Sequence, residues 1–189
     1  IKQLARAIEI TREHAAEWEI DPNKIAVCGS SAGGHLAASI STLWNCEEIF
    51  TKEEITSRRM RPDATILCYP VITGGEKAHK GSFIALTGTE NENDPLWEFL
   101  SLEKQVDADT PPAFLWHCFD DDLVPVENSI YYAEALRKYD IPFEMHIYPS
   151  GGHGIQLTTE RILRCRSVFK RNYNWHGMSV DWLADIFNM

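Results

Sequence analysis

The sequence predicts an α/β fold with a mainly parallel sheet flanked by helices. Four short apolar runs have the character of buried strands, and segments with helical spacing of apolar residues separate them. Of the 189 residues, 44% are hydrophobic and 24% are charged, as in ordinary globular proteins. Strands that alternate with helices of about ten to fifteen residues form right-handed βαβ units. One domain over residues 1–189 is therefore the simplest expectation.

The predicted strands cover residues 25–28, 64–69, 113–118 and 143–148. The first of them has no polar alternation, so we expect it to be buried on both faces. Turn chemistry precedes it at 21–23, where Asp, Pro and Asn follow one another.

Apolar residues at helical spacing predict the helices between and around these strands. An opening amphipathic helix is expected through Glu19, and the charged stretch 47–61 is expected to be partly helical. Three further helices are marked by Leu36, Ile40 and Leu43, by Val126, Ile130, Ala133 and Leu136, and by Ile155, Ile162, Phe169 and Tyr173.

Charge and cysteine content exclude several kinds of protein. Eighteen Lys and Arg against twenty-eight Asp and Glu give a net charge of −10, which argues against a nucleic-acid surface. No apolar stretch approaches the roughly eighteen residues of a membrane span. Five cysteines without Cys-x-x-Cys spacing predict neither a disulfide framework nor a zinc site. Reduced cysteines favour a cytoplasmic location.

The strongest chemical signal is Gly29-x-Ser31-x-Gly33, between a predicted strand and a predicted helix. A serine on such a sharp turn projects its hydroxyl above the sheet, and the flanking positions must be small. The backbone N–H of Ala32 would then be one donor to an oxyanion. The alternative interpretations are an ordinary glycine-rich turn or a phosphate loop, although no Gly-Lys-Ser/Thr ending is present.

A nucleophilic serine needs a base and an orienting carboxylate, which in this strand–turn–helix setting follow in the order Ser, Asp or Glu, His. The third predicted strand ends at Asp120, Asp121 and Asp122, and the fourth leads to His153 between glycines. The residues themselves leave open which aspartate is the acid. A solvated aspartate turn and a surface histidine are the competing interpretations.

The other histidines are weaker candidates. His35 lies in the helix after the serine, and we interpret His117 and His146, on strands, as structural. No His-x-His or His-Glu-x-x-His pair is present, so neither a metal site nor a cofactor is expected.

Several segments together resemble the α/β-hydrolase esterase/lipase group that includes bacterial acetyl esterases and acetylxylan esterase-like proteins. The elbow at 27–38 is similar to the Gly-x-Ser-Ala-Gly-Gly-His elbow of that group. The other similar segments are 101–103, 110–112, 116–129, 141–154 and 175–183.

The resemblance implies a triad of Ser31, Asp121 and His153, with Asp121 chosen because it lies four residues before Pro125. It implies hydrolysis of short acyl esters, particularly acetyl esters of sugars or xylan-derived oligosaccharides, with a small ester as the partner molecule. The alternatives are a serine peptidase of the prolyl-oligopeptidase type and a catalytically impaired, non-enzymatic fragment. The oligomeric state stays open, a homo-oligomer included.

Members of the group carry a His-Gly-Gly stretch before the elbow, and this sequence has none. We therefore expect an N-terminally truncated fold that lacks the first strands, from a fragment or a misassigned gene start. If it is instead the whole natural product, impaired activity or a partner strand is expected. The glycine-rich excursion at 74–105 is predicted to be either a cap over the acyl pocket or a helix packed on the sheet.

Overall fold

A computed structural model describes residues 1–154 and 174–189. Within these ranges, four parallel strands form one sheet in which spatial order follows chain order. The strands are β1 (Ala26–Ser30), β2 (Ala64–Cys68), β3 (Ala113–Cys118) and β4 (Phe143–Tyr148). Each lies where the sequence predicted a strand, so the predicted parallel sheet is confirmed.

β1 lies at one edge of this sheet. The prediction that it is buried on both faces is wrong, because Val27 is buried whereas Cys28 is exposed. An edge strand has a neighbour on one side only, so its side chains receive less cover than those of β2 or β3. The apolar run correctly predicted a strand, but not its position in the sheet.

Seven α-helices surround the sheet in the described ranges. They are α1 (Lys2–Glu13), α2 (Ala32–Leu43), α3 (Lys52–Ser57), α4 (Lys80–Thr87), α5 (Pro95–Phe99), α6 (Glu127–Lys138) and α7 (Trp175–Ile186). A 3-10 turn follows α5 at Leu102–Lys104. The helices predicted around residues 36–43 and 126–136 are confirmed, as is the partly helical stretch at 47–61. None of these helices in the described ranges is long and apolar enough to cross a bilayer.

The opening helix is shorter than predicted. It ends at Glu13 rather than Glu19, because Ala15 N–H bonds the Arg12 carbonyl in a tighter turn and Glu19 has a φ of 55°. Ala15 is nevertheless only 3% exposed. The apolar spacing thus correctly indicated burial at Ala15, but not helical backbone.

Alternate residues of the strands pack into two cores. One face of the sheet packs against α1, α2 and α6, and the other packs against α7. The first core includes Val27, Leu67, Leu115, Ile8, Ile40 and Leu136, and the second includes Ile66, Phe114, Trp116 and Trp182. Helices on both faces leave the carboxyl edge of the strands open for a site.

Segment 74–105 contains α4, α5 and the 3-10 turn. Phe83 and Trp97 from this segment form a small cluster with Val71 and Val124. The apolar tail of the segment therefore packs beside the loops that follow β2 and β3. The helix predicted over 155–173, which includes Cys165, lies outside the described residues.

Candidate active site

Ser31 occupies the turn between β1 and α2, with φ 55° and ψ −122°. A non-glycine residue in this region is strained and persists only where its surroundings hold it. The Ser31 N–H donates to the Cys68 carbonyl at 3.0 Å, and the Ser31 carbonyl accepts from Val71 N–H at 3.1 Å. The end of β2 and the loop after it therefore hold the serine in its turn.

The turn requires glycine at specific positions for steric reasons. A Cβ on Gly29 would lie 2.1 Å from the Gly33 carbonyl oxygen, and a Cβ on Gly34 would lie 2.7 Å from the Pro70 Cβ. A Cβ on Gly33 would meet no atom within 4 Å. The steric reason expected at both flanking glycines thus applies at Gly29 but not at Gly33, and the sequence analysis missed the requirement at Gly34.

The structure brings together three residues that the sequence singled out. Ser31 Oγ lies 2.8 Å from His153 Nε2, and His153 Nδ1 lies 2.8 Å from Asp121 Oδ2. The Asp121 side chain is fully buried, whereas the His153 side chain is 16% exposed. This hydrogen-bonded chain runs from a buried carboxylate to a hydroxyl at the carboxyl edge of the sheet.

The surroundings of Asp121 keep its carboxylate ionised. Burial by itself raises the pKa of Asp121. Hydrogen bonds from His117, Val124, His153 and Leu123 outweigh that effect and lower the pKa to about 2. The carboxylate is consequently negative throughout the neutral range and can face an imidazolium.

The two neighbouring aspartates occupy different positions. Asp120 Oδ1 accepts a hydrogen bond from Gly152 N–H at 2.9 Å, which ties the turn after β3 to the loop that holds His153. Asp122 is exposed. Of the three candidate acids, Asp121 is the one whose carboxylate contacts His153.

Tyr69 is a residue of the site that the sequence analysis missed. Its ring meets the His153 ring edge-on, with 5.0 Å between centroids, and it is 2% exposed. Its φ of 37° is strained, and its N–H donates to the Trp116 carbonyl at 2.7 Å. Pro70 directly after it marked a strand end, but no sequence signal indicated a contact with a residue so far along the chain.

The remaining histidines have other partners. His35 Nε2 lies 3.0 Å from the Leu100 carbonyl, and burial lowers the pKa of His35. His146 pairs with Glu144 on β4. His117, interpreted from the sequence as structural, lies 3.2 Å from Asp121 Oδ2. Residues 1–154 and 174–189 contain no group of three or more His, Cys, Asp or Glu side chains that could hold a metal ion.

An apolar cavity of about 430 Å³ opens beside the start of α2. Its lining includes Ala32, His35, Val71, Phe83, Leu86 and Leu100. Because Ala32 directly follows Ser31, a group bound in this cavity would lie next to the serine and to the helix N-terminus. Such a helix terminus favours developing negative charge.

Several known proteins are similar to this chain. The sequence profile of the BD-FAE family matches residues 1–136. An acetylxylan esterase from Xylanibacter ruminicola is 37% identical over 163 residues, which are 84% of this chain and 32% of that protein. Endo-1,4-beta-xylanase B from Butyrivibrio fibrisolvens is 38% identical over 162 residues, which are 86% of this chain and 25% of that protein.

A solved structure is also similar. The acetyl ester-xyloside bifunctional hydrolase from Caldicellulosiruptor lactoaceticus is 40% identical and superimposes with a TM-score of 0.78, over 97% of this chain and 64% of that one. The chain thus spans a quarter to a third of the two relatives above and under two thirds of this structure. A parallel sheet with a strand–serine–helix elbow is the α/β-hydrolase fold. The profile match over residues 1–136 shows that the chain belongs to the BD-FAE family.

Proposed function

We propose that this chain carries the catalytic centre of a serine hydrolase that cleaves carboxylic esters through an acyl-enzyme. The observation that carries the proposal is the chain of two 2.8 Å contacts from Ser31 through His153 to Asp121. A serine hydroxyl is a weak nucleophile at neutral pH, and an adjacent base oriented by a carboxylate activates it.

Acylation follows from these contacts. His153 Nε2 takes the hydroxyl proton while Ser31 Oγ bonds to the ester carbonyl carbon. Asp121, ionised and buried, holds the imidazole by Nδ1 and stabilises the imidazolium that forms. The tetrahedral intermediate carries its negative charge on the former carbonyl oxygen, where the Ala32 N–H donates. The bond to the leaving oxygen then breaks, and His153 returns the proton to the departing alcohol.

Deacylation uses the same groups. A water molecule gives a proton to His153 and bonds to the acyl carbon, and the bond to Ser31 Oγ breaks. His153 then returns the proton to Ser31, so the free acid leaves and the enzyme is restored. Each proton moves between substrate, water and the side chains of this chain, and the proposed reaction uses no cofactor.

The proposed substrates are short acyl esters, especially acetyl groups on sugars or xylan-derived oligosaccharides. This class is supported by the relatives, one of which is an acetylxylan esterase and another an acetyl ester-xyloside hydrolase. A net charge of −10 also favours neutral substrates over anionic ones.

Hydrolysis of p-nitrophenyl acetate by Ser31→Ala and Ser30→Ala variants tests the reaction. Ser30 is the last residue of β1. Ser30→Ala is the matched control, since this substitution removes the hydroxyl next to that of Ser31. We expect Ser31→Ala to lose at least a thousandfold in kcat, on the order seen when a triad serine is removed, and Ser30→Ala to keep its activity. Equal rates in Ser31→Ala and the parent would overturn the proposal. Acetate release from acetylated xylo-oligosaccharides, compared with release from simple acetate esters and with cleavage of peptides, tests the substrate class.

A further inference from the structure

His117 is a fully buried histidine on β3 with a partner at each ring nitrogen. Its exposure is 0%, and its Nδ1 lies 2.8 Å from Ser129 Oγ on α6. Its Nε2 faces two oxygens, the Val124 carbonyl at 3.0 Å and Asp121 Oδ2 at 3.2 Å. The ring therefore lies between α6 and the carboxylate that contacts His153.

These partners determine which ring nitrogen carries the proton. Both atoms at Nε2 are acceptors, a carbonyl and an ionised carboxylate, so Nε2 must be the N–H donor. The Ser129 hydroxyl can donate to Nδ1, which a neutral ring leaves as an acceptor. His117 Nε2–H is thus a donor that faces Asp121, and Ser129 holds the other side of the ring.

The hydrogen-bonding capacity of Asp121 is then filled. Oδ1 accepts from Leu123 N–H at 3.0 Å and from Val124 N–H at 2.9 Å. Oδ2 accepts from His153 Nδ1 at 2.8 Å and lies 3.2 Å from His117 Nε2. A carboxylate offers about four acceptor positions, two on each oxygen. Three of them accept from Leu123, Val124 and His153, and the fourth faces the His117 N–H, which Asp121 shares with the Val124 carbonyl.

We propose that His117 is a positioning residue for the hydrolysis proposed above, acting through Asp121. Its N–H fixes the Asp121 carboxylate in the one orientation that presents Oδ2 to His153. Two imidazoles therefore contact Asp121 Oδ2. His153 is the base of the proposed reaction, and His117 holds the carboxylate in place. If packing were the only requirement at position 117, an apolar side chain would suffice, as Leu115 does on the same face of β3.

Two amide substitutions separate the two contacts of this ring. Glutamine reaches as far as histidine Nε2 and can still donate to Asp121, whereas asparagine reaches only as far as Nδ1 and Ser129. We expect His117→Asn to lower kcat for p-nitrophenyl acetate by about 10- to 100-fold with KM unchanged, since one hydrogen bond to a charged group is lost. His117→Gln should recover most of that loss. His146→Gln, on the neighbouring strand, is the control and should match the parent.

Two kinetic results would overturn the proposal. One is a kcat for His117→Asn equal to that of the parent. The other is an equal loss in His117→Asn and His117→Gln, which would show that ring volume and not the donor matters.

A spectroscopic measurement distinguishes this proposal from the proposed esterase activity, on which its kinetic arm rests. In the parent chain with ¹⁵N-labelled histidine, we expect the His117 Nε2 resonance to be that of a protonated nitrogen. Asp121→Asn should shift the His117 Nε2 resonance, whereas Ser31→Ala should shift that of His153 alone. An unchanged His117 resonance in Asp121→Asn would overturn the positioning role even in an active esterase. A responsive resonance in a chain that hydrolyses no ester would support the His117–Asp121 contact and reject the esterase.

Discussion

Gly29 has the closest surroundings of any glycine in the serine turn. A methyl group there would lie 2.1 Å from the Gly33 carbonyl oxygen, a distance that requires backbone atoms to move. Because this carbonyl belongs to the first turn of α2, the movement would displace the helix that begins directly after Ser31. The position of Ser31 thus depends on the absence of a side chain two residues before it.

We expect Gly29→Ala to lower the free energy of unfolding by about 1–3 kcal/mol, as overpacking of a filled site does. Gly33→Ala is the matched control, since its added methyl meets no atom within 4 Å and alanine favours helix over glycine. Its stability should equal or exceed that of the parent. Denaturant unfolding of the three proteins measures the difference. A Gly29→Ala protein as stable as the parent would contradict the steric argument.

The sequence predicted the residues of the candidate site better than it predicted the neighbouring residues that hold them in place. Chain order and strand ends pointed to Ser31, His153 and the aspartate turn, because these features are local. The contacts of Tyr69 and His117 were missed, since they depend on which face of a strand meets which loop. A histidine four residues before an aspartate is unremarkable in sequence. Only the end of β3 and the turn after it bring those two side chains together.

The buried side chain of His35 connects α2 to the segment that follows α5. His35 Nε2 lies 3.0 Å from the Leu100 carbonyl, its Nδ1 is 3.3 Å from Ser39 Oγ, and its ring meets Phe83 edge-on. Burial lowers the pKa of His35, outweighing the Leu100 contact that raises it. The neutral ring is therefore part of how α2 and this segment pack.

This contact predicts that acid weakens the packing of α2. A histidine whose pKa is lowered in the folded protein adds stability above its ordinary pKa of 6.5, and that stability is lost as pH falls toward the folded value. We expect the free energy of unfolding to fall from about pH 7.5 to about pH 5.5, and to fall less in His35→Gln. Chemical denaturation at both values is the measurement. The same fall in both proteins would show that other groups cause it.

Elements with strong periodicity were predicted well, and the errors share one cause. β2, β3 and α6 lie where the apolar pattern indicated them, since each is covered by neighbours on the side that the pattern marks. β4 also lies where it was predicted, although it is the other edge strand and is only partly buried. The opening helix was predicted to be longer than it is, and β1 was predicted to be more buried than it is. Both lie toward the edge of the sheet, where cover depends on tertiary neighbours that spacing does not encode.

The interactions of Asp121 should make the free energy of unfolding of the whole molecule fall in acid. The pKa of this carboxyl is about 2 in the folded chain, against an ordinary value of 3.8. A carboxyl with a lowered folded pKa adds stability above the unfolded value, and loses it as pH falls through the folded one. That contribution is about 2 kcal/mol, complete above about pH 5 and lost toward pH 2.

Unfolding free energies of the parent and Asp121→Asn, measured from about pH 6 down to about pH 2.5, check this expectation. The parent's advantage over the variant should shrink as pH falls across this range. Asp122→Asn, which neutralises an exposed carboxylate in the same turn, controls for the loss of one negative charge. A difference between parent and Asp121→Asn that does not change with pH would contradict the lowered pKa.

The distance along the chain between Ser31 and His153 has a consequence for biosynthesis. The two residues are 122 positions apart, and among the described strands Ser31 follows one edge strand and His153 lies in the loop after the other. Contacts between residues so far apart in sequence carry a large loop-closure cost, so they form slowly. A ribosome-bound chain that has emerged only as far as β3 holds Ser31 without His153, the base of the proposed mechanism. If the proposed mechanism holds, nucleophilic reactivity is withheld until β4 and the loop beyond it have been synthesised and docked.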